Sequence, residues 1–355
     1  MNPTLQENIE AWDGLAVISR YIKTYDAWFF IALHSNTLGV PVGGTRMARY
    51  AHPSEGLEDA MRLASGMTYK WASCGLDFGG AKAVIALLRK LEPPEHRELL
   101  KLYGDLLQSL GSVFITGEDL GTTPEDMNLL ISRGARIMGI SPYGEATDPG
   151  PFTAIGVYAA MKAALAKALP DHKPSDTTVL IQGVGDVGAR LAAHLHADGF
   201  KLKLADLDEG RVDDLVDKYN AKKVAPSRVY QTVCDVFAPC ARGGILSKTT
   251  IPSLRCKVVV GSANNQLLTT EDAQRLHDRG ILYAPDYVIN AGGAIAFGMM
   301  DEGIFEEEPI KKRIQNLGSI LTEILDNAAK NNESPLFGAR KQVDQALART
   351  REAHF

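Results

Sequence analysis

The chain has 355 residues, 45% of them hydrophobic and 23% charged, and a formal net charge of −5. Its length exceeds what one growing core usually fills, so two domains are expected, and its ordinary composition excludes wholesale disorder. The acidic balance leaves no basic footprint for nucleic acid, and no apolar run approaches the roughly 18 residues of a membrane span. Neither partner is expected.

Taken in order, the first residues lack the charged start and apolar core of a signal peptide, which favours a cytoplasmic chain. "AWFFIALHS", from Ala27, is β-rich and runs into the turn-forming "GVPVGGTR". "SEGLEDAMRLASGM" has helical spacing, with Leu57, Ala60, Met61 and Ala64 on one side. The prolines and glycines of "SPYGEATDPGP", Ser141 to Pro151, mark a boundary, giving one domain over 1–145 and a second over 146–325. "TAIGVYAAMKAALAKAL" then predicts a helix. "TTVLIQ", "KLKLAD", "CDVFAPC", "KVVVGSA" and "ILYAPD" follow as short apolar runs separated by helical or turn-like segments, the pattern of a parallel, doubly wound sheet. "PIKKRIQNLGSILTEILDNAAK" repeats apolar residues at Ile310, Ile314, Leu317, Leu321, Ile324 and Leu325, predicting one amphipathic helix able to pack back on the first domain. Cys74, Cys234, Cys240 and Cys256 form no CxxC pair and read as reduced thiols, and His194 and His196 point in different directions on a helix, so no metal is expected.

Two motifs carry chemistry. After the strand "VLIQ", Gly183, Gly185 and Gly188 have the G-x-G-x-x-G spacing and open a helix, and the next strand ends at Asp206, near the offset expected for a carboxylate on a ribose hydroxyl. Such glycines allow a tight turn, approach of backbone to a pyrophosphate and close helix packing. The acidic residue favours NAD over NADP, with Arg211 the one nearby group arguing otherwise. The second motif is a lysine pair, Lys70 in "GMTYK" and Lys82 in "DFGGAKAVI", with Asp119 downstream in "TGEDLG". If these converge, one ammonium can hold a carboxylate while the other, its pKa lowered by like charge and desolvation, accepts a proton, and Asp119 balances charge or moves protons.

"GGTR" at 43–46, "GMTYK" at 66–70, "DFGGAKAVI" at 77–85, "TGEDLGTTPEDM" at 116–127, "FAPCA" at 237–241, "GSANNQL" at 261–267 and "GILYAPDYVINAGG" at 280–293 together resemble the leucine, valine and phenylalanine dehydrogenases of the glutamate dehydrogenase superfamily. The resemblance implies an α/β fold of two domains, an N-terminal substrate domain and a Rossmann-type doubly wound NAD-binding domain, with the active site in the cleft between them. It also implies that the last helices, about 326–355, return to the first domain, that the chain forms a homo-oligomer, and that an L-amino acid is reversibly oxidised to the 2-oxo acid and ammonia with NAD. By matched position Lys82 is the general base, Lys70 binds the substrate carboxylate with help from the backbone at Gly43 and Gly44, and Asp119 is the partner carboxylate. Asn264 bonds the substrate or nicotinamide region, Thr153 the nicotinamide amide, and Asn290 lies beside the pocket. The implied cofactor site comprises Arg46 and Thr153, the loop Gly183, Val184, Gly185, Asp186, Val187 and Gly188, then Asp206, Cys240, Ala241, Ala263, Asn264 and Asn290.

Ala81 replaces a glycine common in relatives and strains the turn only if its φ is positive. Gly79 and Gly80 are expected to let backbone approach the substrate, and Phe78, Ala83 and Val84 to depress the Lys82 pKa. The side-chain pocket is assigned to Val42, Met67, Gly117, Ala294 and Phe297, where small Gly117 and Ala294 leave room for an aromatic ring and slightly favour a phenylalanine-type substrate over a leucine or valine type. The alternative is a catalytically silent NAD-binding regulator of the same fold.

Overall fold

The computed structural model describes residues 5–353; residues 1–4 and 354–355, the extremes of the expected segments 1–145 and 326–355, lie outside the described residues. The chain divides into two compact units, the first running to Asp148 and including Phe297–Phe305 and the chain from Val343, the second comprising Pro149–Ala296 and Glu306–Gln342.

In the first unit α1 (Leu5–Trp12), β1 (Ala16–Ile22), β2 (Ala27–Ser35), β3 (Pro41–Val42), β4 (Thr45–Arg49), α2 (Pro53–Ser73), β5 (Gly79–Leu87), α3 (Pro93–Leu110) and α4 (Pro124–Ser132) follow in order. β2 runs antiparallel to β1 and β5, and both β3 and β4 lie parallel to β5, so β5 is the central strand. All nine of its residues are buried, as a strand covered on both faces requires. Alternation divides its side chains. Ala81, Ala83, Ile85 and Leu87 join Phe29, Ile31, Leu33, Leu99 and Tyr103 in one core, while Val84 and Ala86 join Phe30, Ala32, Ala60, Met61 and Ala64 of α2 in another. Each large apolar side chain so buried stabilises the fold by about 1.5–3 kcal/mol. His52 and Pro53 start α2 and Thr123 with Asp126 forms a capping box on α4, supplying partners for backbone N–H groups at the helix starts.

The second unit contains α5 (Gly150–Ala168), β6 (Thr178–Gln182), α6 (Asp186–Ala197), β7 (Lys201–Ala205), α7 (Glu209–Tyr219), β8 (Lys222–Lys223), β9 (Val236–Pro239), β10 (Val258–Val259), α8 (Glu271–Asp278), β11 (Leu282–Tyr283) and α9 (Asp286–Ile289). The chain continues through α10 (Gly292–Asp301), α11 (Glu307–Gln315), α12 (Leu317–Asn331) and α13 (Pro335–Ala353). All strand pairs here are parallel, in the order β11-β10-β9-β6-β7-β8. The chain winds outward from β6 through β7 and β8, then resumes beside β6 at β9, which makes the β6–β9 edge the switch point where such sheets bind ligands.

The late amphipathic segment departs from expectation in two ways. It is two helices, α11 and α12, separated at Asn316, and α12 packs on α5 of the second unit through the buried face of Leu317, Leu321, Ile324 and Leu325. Accordingly, of the chain after Ala296 only Phe297–Phe305 and the residues from Val343 belong to the first unit, and 326–342 belongs to the second. A second apolar surface, α5 with buried Val157, Ala160, Met161, Ala164 and Leu165, takes the helix instead.

Candidate active site

Strand register places Lys82. Ala32 of β2 pairs with Lys82 and Arg46 of β4 pairs with Val84, so Lys82, Val84 and Arg46 share the sheet face covered by α2. A further edge is added by residues 115–118, bridged at Val42 with Ile115 and at Thr45 with Glu118. That edge is fixed by Thr45 N–H donating to the Gly117 carbonyl at 2.8 Å and by a buried cluster of hydroxyls in which Thr45 Oγ1 lies 2.7 Å from Thr116 Oγ1 and 2.8 Å from the Tyr103 hydroxyl. The chain then delivers Asp119 to the face where Lys82 and Arg46 stand.

Lys82 is 4% exposed, and its Nζ lies 2.7 Å from Asp119 Oδ1. Arg46 Nε donates to Asp119 Oδ2 at 2.9 Å and its Nη1 to Asp59 Oδ2 at 2.9 Å; the Tyr50 hydroxyl donates to the same Asp59 oxygen at 2.8 Å, and Arg62 Nη2 to Asp59 Oδ1 at 2.6 Å. Burial pushes the Lys82 ammonium below its usual pKa despite the opposing pull of Asp119, and the Arg46 charge lowers it further. Burial alone would raise Asp119, but the Lys82 and Arg46 charges outweigh it and hold the carboxyl well below its usual range. An amine that holds its proton less tightly than usual, fixed by a carboxylate that stays ionised, can exchange protons with a bound molecule.

Several expectations change here. Arg46 supplies a like charge that acts on Lys82, and Lys70 stands half-buried on α2, in the turn after Thr68, which packs against Gly80. Arg46, expected at the cofactor, is engaged with two carboxylates of its own unit. Gly79 and Gly80 are needed by the protein itself, because a Cβ would lie 2.2 Å from the Ser35 carbonyl oxygen at the first and 1.9 Å from Thr68 Oγ1 at the second. Gly43 N–H donates to the Ile115 carbonyl at 3.1 Å and so is already used, and a Cβ there would sit 1.7 Å from the Ala81 oxygen, while one at Gly44 would meet the Glu118 carbonyl. Ala83 faces the opposite core from Lys82, and Phe78 stacks obliquely on Trp71, with 5.1 Å between ring centroids. Ala81 is an ordinary strand residue among Leu33 and Ala83, without positive φ.

Of the pocket residues, Val42 is 2% exposed core whose carbonyl accepts from Trp71 Nε1 at 3.1 Å. Met67 is half-buried on α2. At Gly117 an added Cβ would meet nothing closer than the Met138 carbonyl at 3.8 Å, so that wall has room. Phe297 of the first unit lies on Gly139, where a Cβ would come within 2.4 Å of the ring. Ala294 is half-buried at the start of α10, in the second unit.

In the second unit the carboxyl ends of β6, β7 and β9 are level, since Gln182 pairs with Ala205 and Pro239, and this brings Gly183, Asp206 and Cys240 to one edge. Gly183 has φ +97° and a Cβ there would lie 2.7 Å from that of Ala241; at Gly188 it would lie 2.0 Å from the Gly183 carbonyl, with Cys240 close behind. At Gly185 an added Cβ meets nothing within 4 Å. The first and third glycines therefore serve turn and helix packing while the second faces open space, which fits a pyrophosphate approaching the α6 N-terminus that begins with Asp186 and Val187. Asp206 Oδ2 accepts from Val184 N–H at 2.7 Å and its Oδ1 from Asp208 N–H at 3.0 Å, which holds the carboxylate beside the loop. Asn290 Nδ2 donates to Asn264 Oδ1 at 2.8 Å and to the Ser262 carbonyl at 3.1 Å, whereas its buried Oδ1 has no partner. Ala263 N–H is bound to the Pro239 carbonyl, and Thr153 Oγ1 donates to the Pro149 carbonyl at 3.0 Å. Among the described residues, no group of three or more His, Cys, Asp or Glu could hold a metal ion, and no helix is long and apolar enough to cross a membrane.

The sequence reading missed Asp59 and Tyr50. Asp59 lies in an ordinary amphipathic helix, and only its 13-residue separation from Arg46, bridged by a strand-to-helix connection, brings them together.

Comparison with known proteins agrees with this geometry. Residues 20–135 match the family described as Glu/Leu/Phe/Val dehydrogenase, dimerisation domain, and residues 201–354 match Glutamate/Leucine/Phenylalanine/Valine dehydrogenase. The chain is 40% identical over 347 residues to leucine dehydrogenase of Geobacillus stearothermophilus, covering 97% of this chain and 94% of that one, and 36% identical to phenylalanine dehydrogenase of Bacillus thermotolerans, covering 92% and 86%. The crystal structure of L-tryptophan dehydrogenase from Nostoc punctiforme superposes with a TM-score of 0.77 at 33% identity, covering 98% of this chain and all of that one. With a lysine on a buried strand paired to an aspartate, a G-x-G-x-x-G loop at a sheet switch point and relatives over 97% of its length, the chain belongs to the Glu/Leu/Phe/Val dehydrogenase family and is an amino acid dehydrogenase.

Proposed function

We propose that the enzyme catalyses the reversible NAD-linked oxidative deamination of an L-amino acid with an apolar side chain, aromatic or branched aliphatic, to the 2-oxo acid and ammonia. The observation that carries this reading is the nearly buried Lys82 paired at 2.7 Å with Asp119 and displaced toward its neutral form. Lys70 supplies the charge for the substrate carboxylate. NAD, held by the glycine loop and Asp206, would supply the acceptor for the hydride of the substrate α-carbon. Neutral Lys82 removes a proton from a water molecule as that water adds to the protonated imine carbon, and Asp119 stabilises the ammonium that results. Lys82 returns this proton to the nitrogen of the carbinolamine and then takes the hydroxyl proton as the C–N bond breaks, so that ammonia departs and the carbonyl forms.

Gly183, Val184, Gly185 and Gly188 hold the pyrophosphate, and Asp206 accepts from the ribose hydroxyls, disfavouring a 2′-phosphate. Asn290, whose Oδ1 lacks a partner, holds Asn264 toward the nicotinamide and substrate, with Thr153 nearby on α5. Gly117 and Ala294 favour a phenylalanine-type side chain over a leucine or valine type, since room beside Met138 accepts ring atoms; pocket methylenes change discrimination by only about 1–3 kcal/mol, so both classes are turned over. The named dimerisation domain among its relatives supports a homo-oligomer. The test is NADH absorbance with L-phenylalanine, L-tryptophan, L-leucine, L-valine and L-glutamate, repeated with 2-oxo acids and ammonia. Turnover with aromatic and branched substrates, and none with glutamate, is expected. Dinucleotide binding without turnover of any of them would instead mark a silent regulator.

A further inference from the structure

We infer that Arg46, fixed by Asp59 and Tyr50, is a positioning residue that occupies the outer oxygen of Asp119 and thereby sets the pH at which Lys82 releases its proton. The inference rests on Lys82 being the base and adds a device that tunes it. Lys82 bonds Asp119 Oδ1 at 2.7 Å and Arg46 bonds Oδ2 at 2.9 Å, so two cations divide one carboxylate. A guanidinium never loses its charge under these conditions, whereas an ammonium can, and the lysine yields. Arg46 could not swing away without giving up Asp59, which its Nη1 bonds at 2.9 Å while the Tyr50 hydroxyl and Arg62 bond Asp59 at 2.8 and 2.6 Å. Arg46, Asp59 and Asp119 are each only 13–14% exposed, so solvent screens these charges weakly.

The charges acting most strongly on Lys82 are Asp119, which follows the added edge, Arg46 on β4 and Asp59 on α2. His34 on β2 is within 2.8 Å of Thr68 Oγ1, Glu118 precedes Asp119 on the added edge, and Lys70 follows on α2. A purely structural ion pair would need only the Arg46–Asp59 link. The guanidinium instead spans the two carboxylates, with Nε on one and Nη1 on the other.

The test reads Lys82 without requiring turnover. Wild type, Arg46→Gln, Arg46→Lys and Asp59→Asn are trace-acetylated with acetic anhydride across pH, and the Lys82 peptide is quantified by mass spectrometry. Arg46→Gln returns all of Asp119 to the lysine and raises the labelling midpoint by about one pH unit or more, with the rising limb of kcat/KM moving alike. Arg46→Lys keeps the charge and restores most of the shift. Asp59→Asn leaves Arg46 less compensated and moves the midpoint down, so the inference stays exposed even where Arg46→Gln fails to fold. An unmoved midpoint in a folded Arg46→Gln, or a raised one in Asp59→Asn, overturns it. Midpoints that move as stated in a protein turning over no amino acid uphold the device and remove the proposed function; an active enzyme with fixed midpoints does the reverse.

Discussion

The two units solve opposite electrostatic problems. The first buries formal charges, Lys82, Asp119, Arg46 and Asp59, and compensates them one against another beside the strand face that carries Lys82 and Arg46. The second offers, at the edge proposed to hold the dinucleotide, backbone N–H groups, glycines and the neutral amides of Asn264 and Asn290, with Asp206 the carboxylate at the loop. A group meant to gain and lose protons has to sit where desolvation and neighbours compete, whereas a group meant to hold a dinucleotide needs only shape and fixed dipoles. Mutations should accordingly act on rate, pH dependence and stability in the first unit, and on affinity in the second.

The most severe break is Lys82→Ala. It removes the base but nothing from the glycine loop, so kcat should fall by about 10²- to 10⁴-fold with dinucleotide affinity unchanged, as steady-state kinetics and binding titrations will show. A variant with near wild-type turnover would detach catalysis from this lysine. Next in size is Asp119→Asn, which strips the shared anion from two buried cations and should cost about 3–5 kcal/mol in chemical unfolding near neutral pH. The sign with pH follows from the carboxyl's depressed value in the fold: its stabilisation is complete above the ordinary 3.8 and drains away as pH falls below it. The gap between wild type and variant should therefore narrow in acid. A gap that stays constant would mean that the ion pairs are not its source.

In the second unit Asp206→Ala frees Val184 N–H and takes away the acceptor at the strand end. Dinucleotide affinity should weaken by about 1.5–3 kcal/mol, and the preference for NAD over NADP should relax. Thermal stability should change far less than affinity, in contrast to Asp119→Asn. An unchanged cofactor ratio would remove Asp206 from the ribose site.

Much of this contrast was legible in the sequence, for reasons that differ between the units. Strand, glycine loop, helix and next strand are consecutive in 178–206, so local spacing alone predicts Gly183 beside Asp206. The lysine pair and Asp119 were found through their motifs, yet the partners of Asp119 were not. Arg46, Tyr50 and Asp59 come from a strand, its end and a helix, and their meeting is decided by the parallel register of β4 on β5, which no local pattern encodes. The packing need for glycine near Lys82 is hidden for the same reason: the close neighbours of Gly79 and Gly80, Ser35 and Thr68, are distant in the chain. The late helices went astray because an apolar stripe reveals that a helix will be covered but not by what, and here α5 covers α12.

Ala81→Gly offers the smallest and sharpest comparison, since it restores the glycine of the related motif next to the proposed base. Ala81 has no positive φ, pairs with Leu33 in the middle of a ladder, and its methyl group is fully buried on the face opposite Lys82. The methyl thus fills the core and does not touch the charge network. Replacing it by hydrogen removes one buried carbon and loosens the unfolded chain, so stability should drop by about 1 kcal/mol, while the pH profile and substrate preference stay those of the wild type. A changed pH profile would show that packing on one face of β5 reaches the lysine on the other, and the charges of the first unit would then have to be read together with the core beneath them.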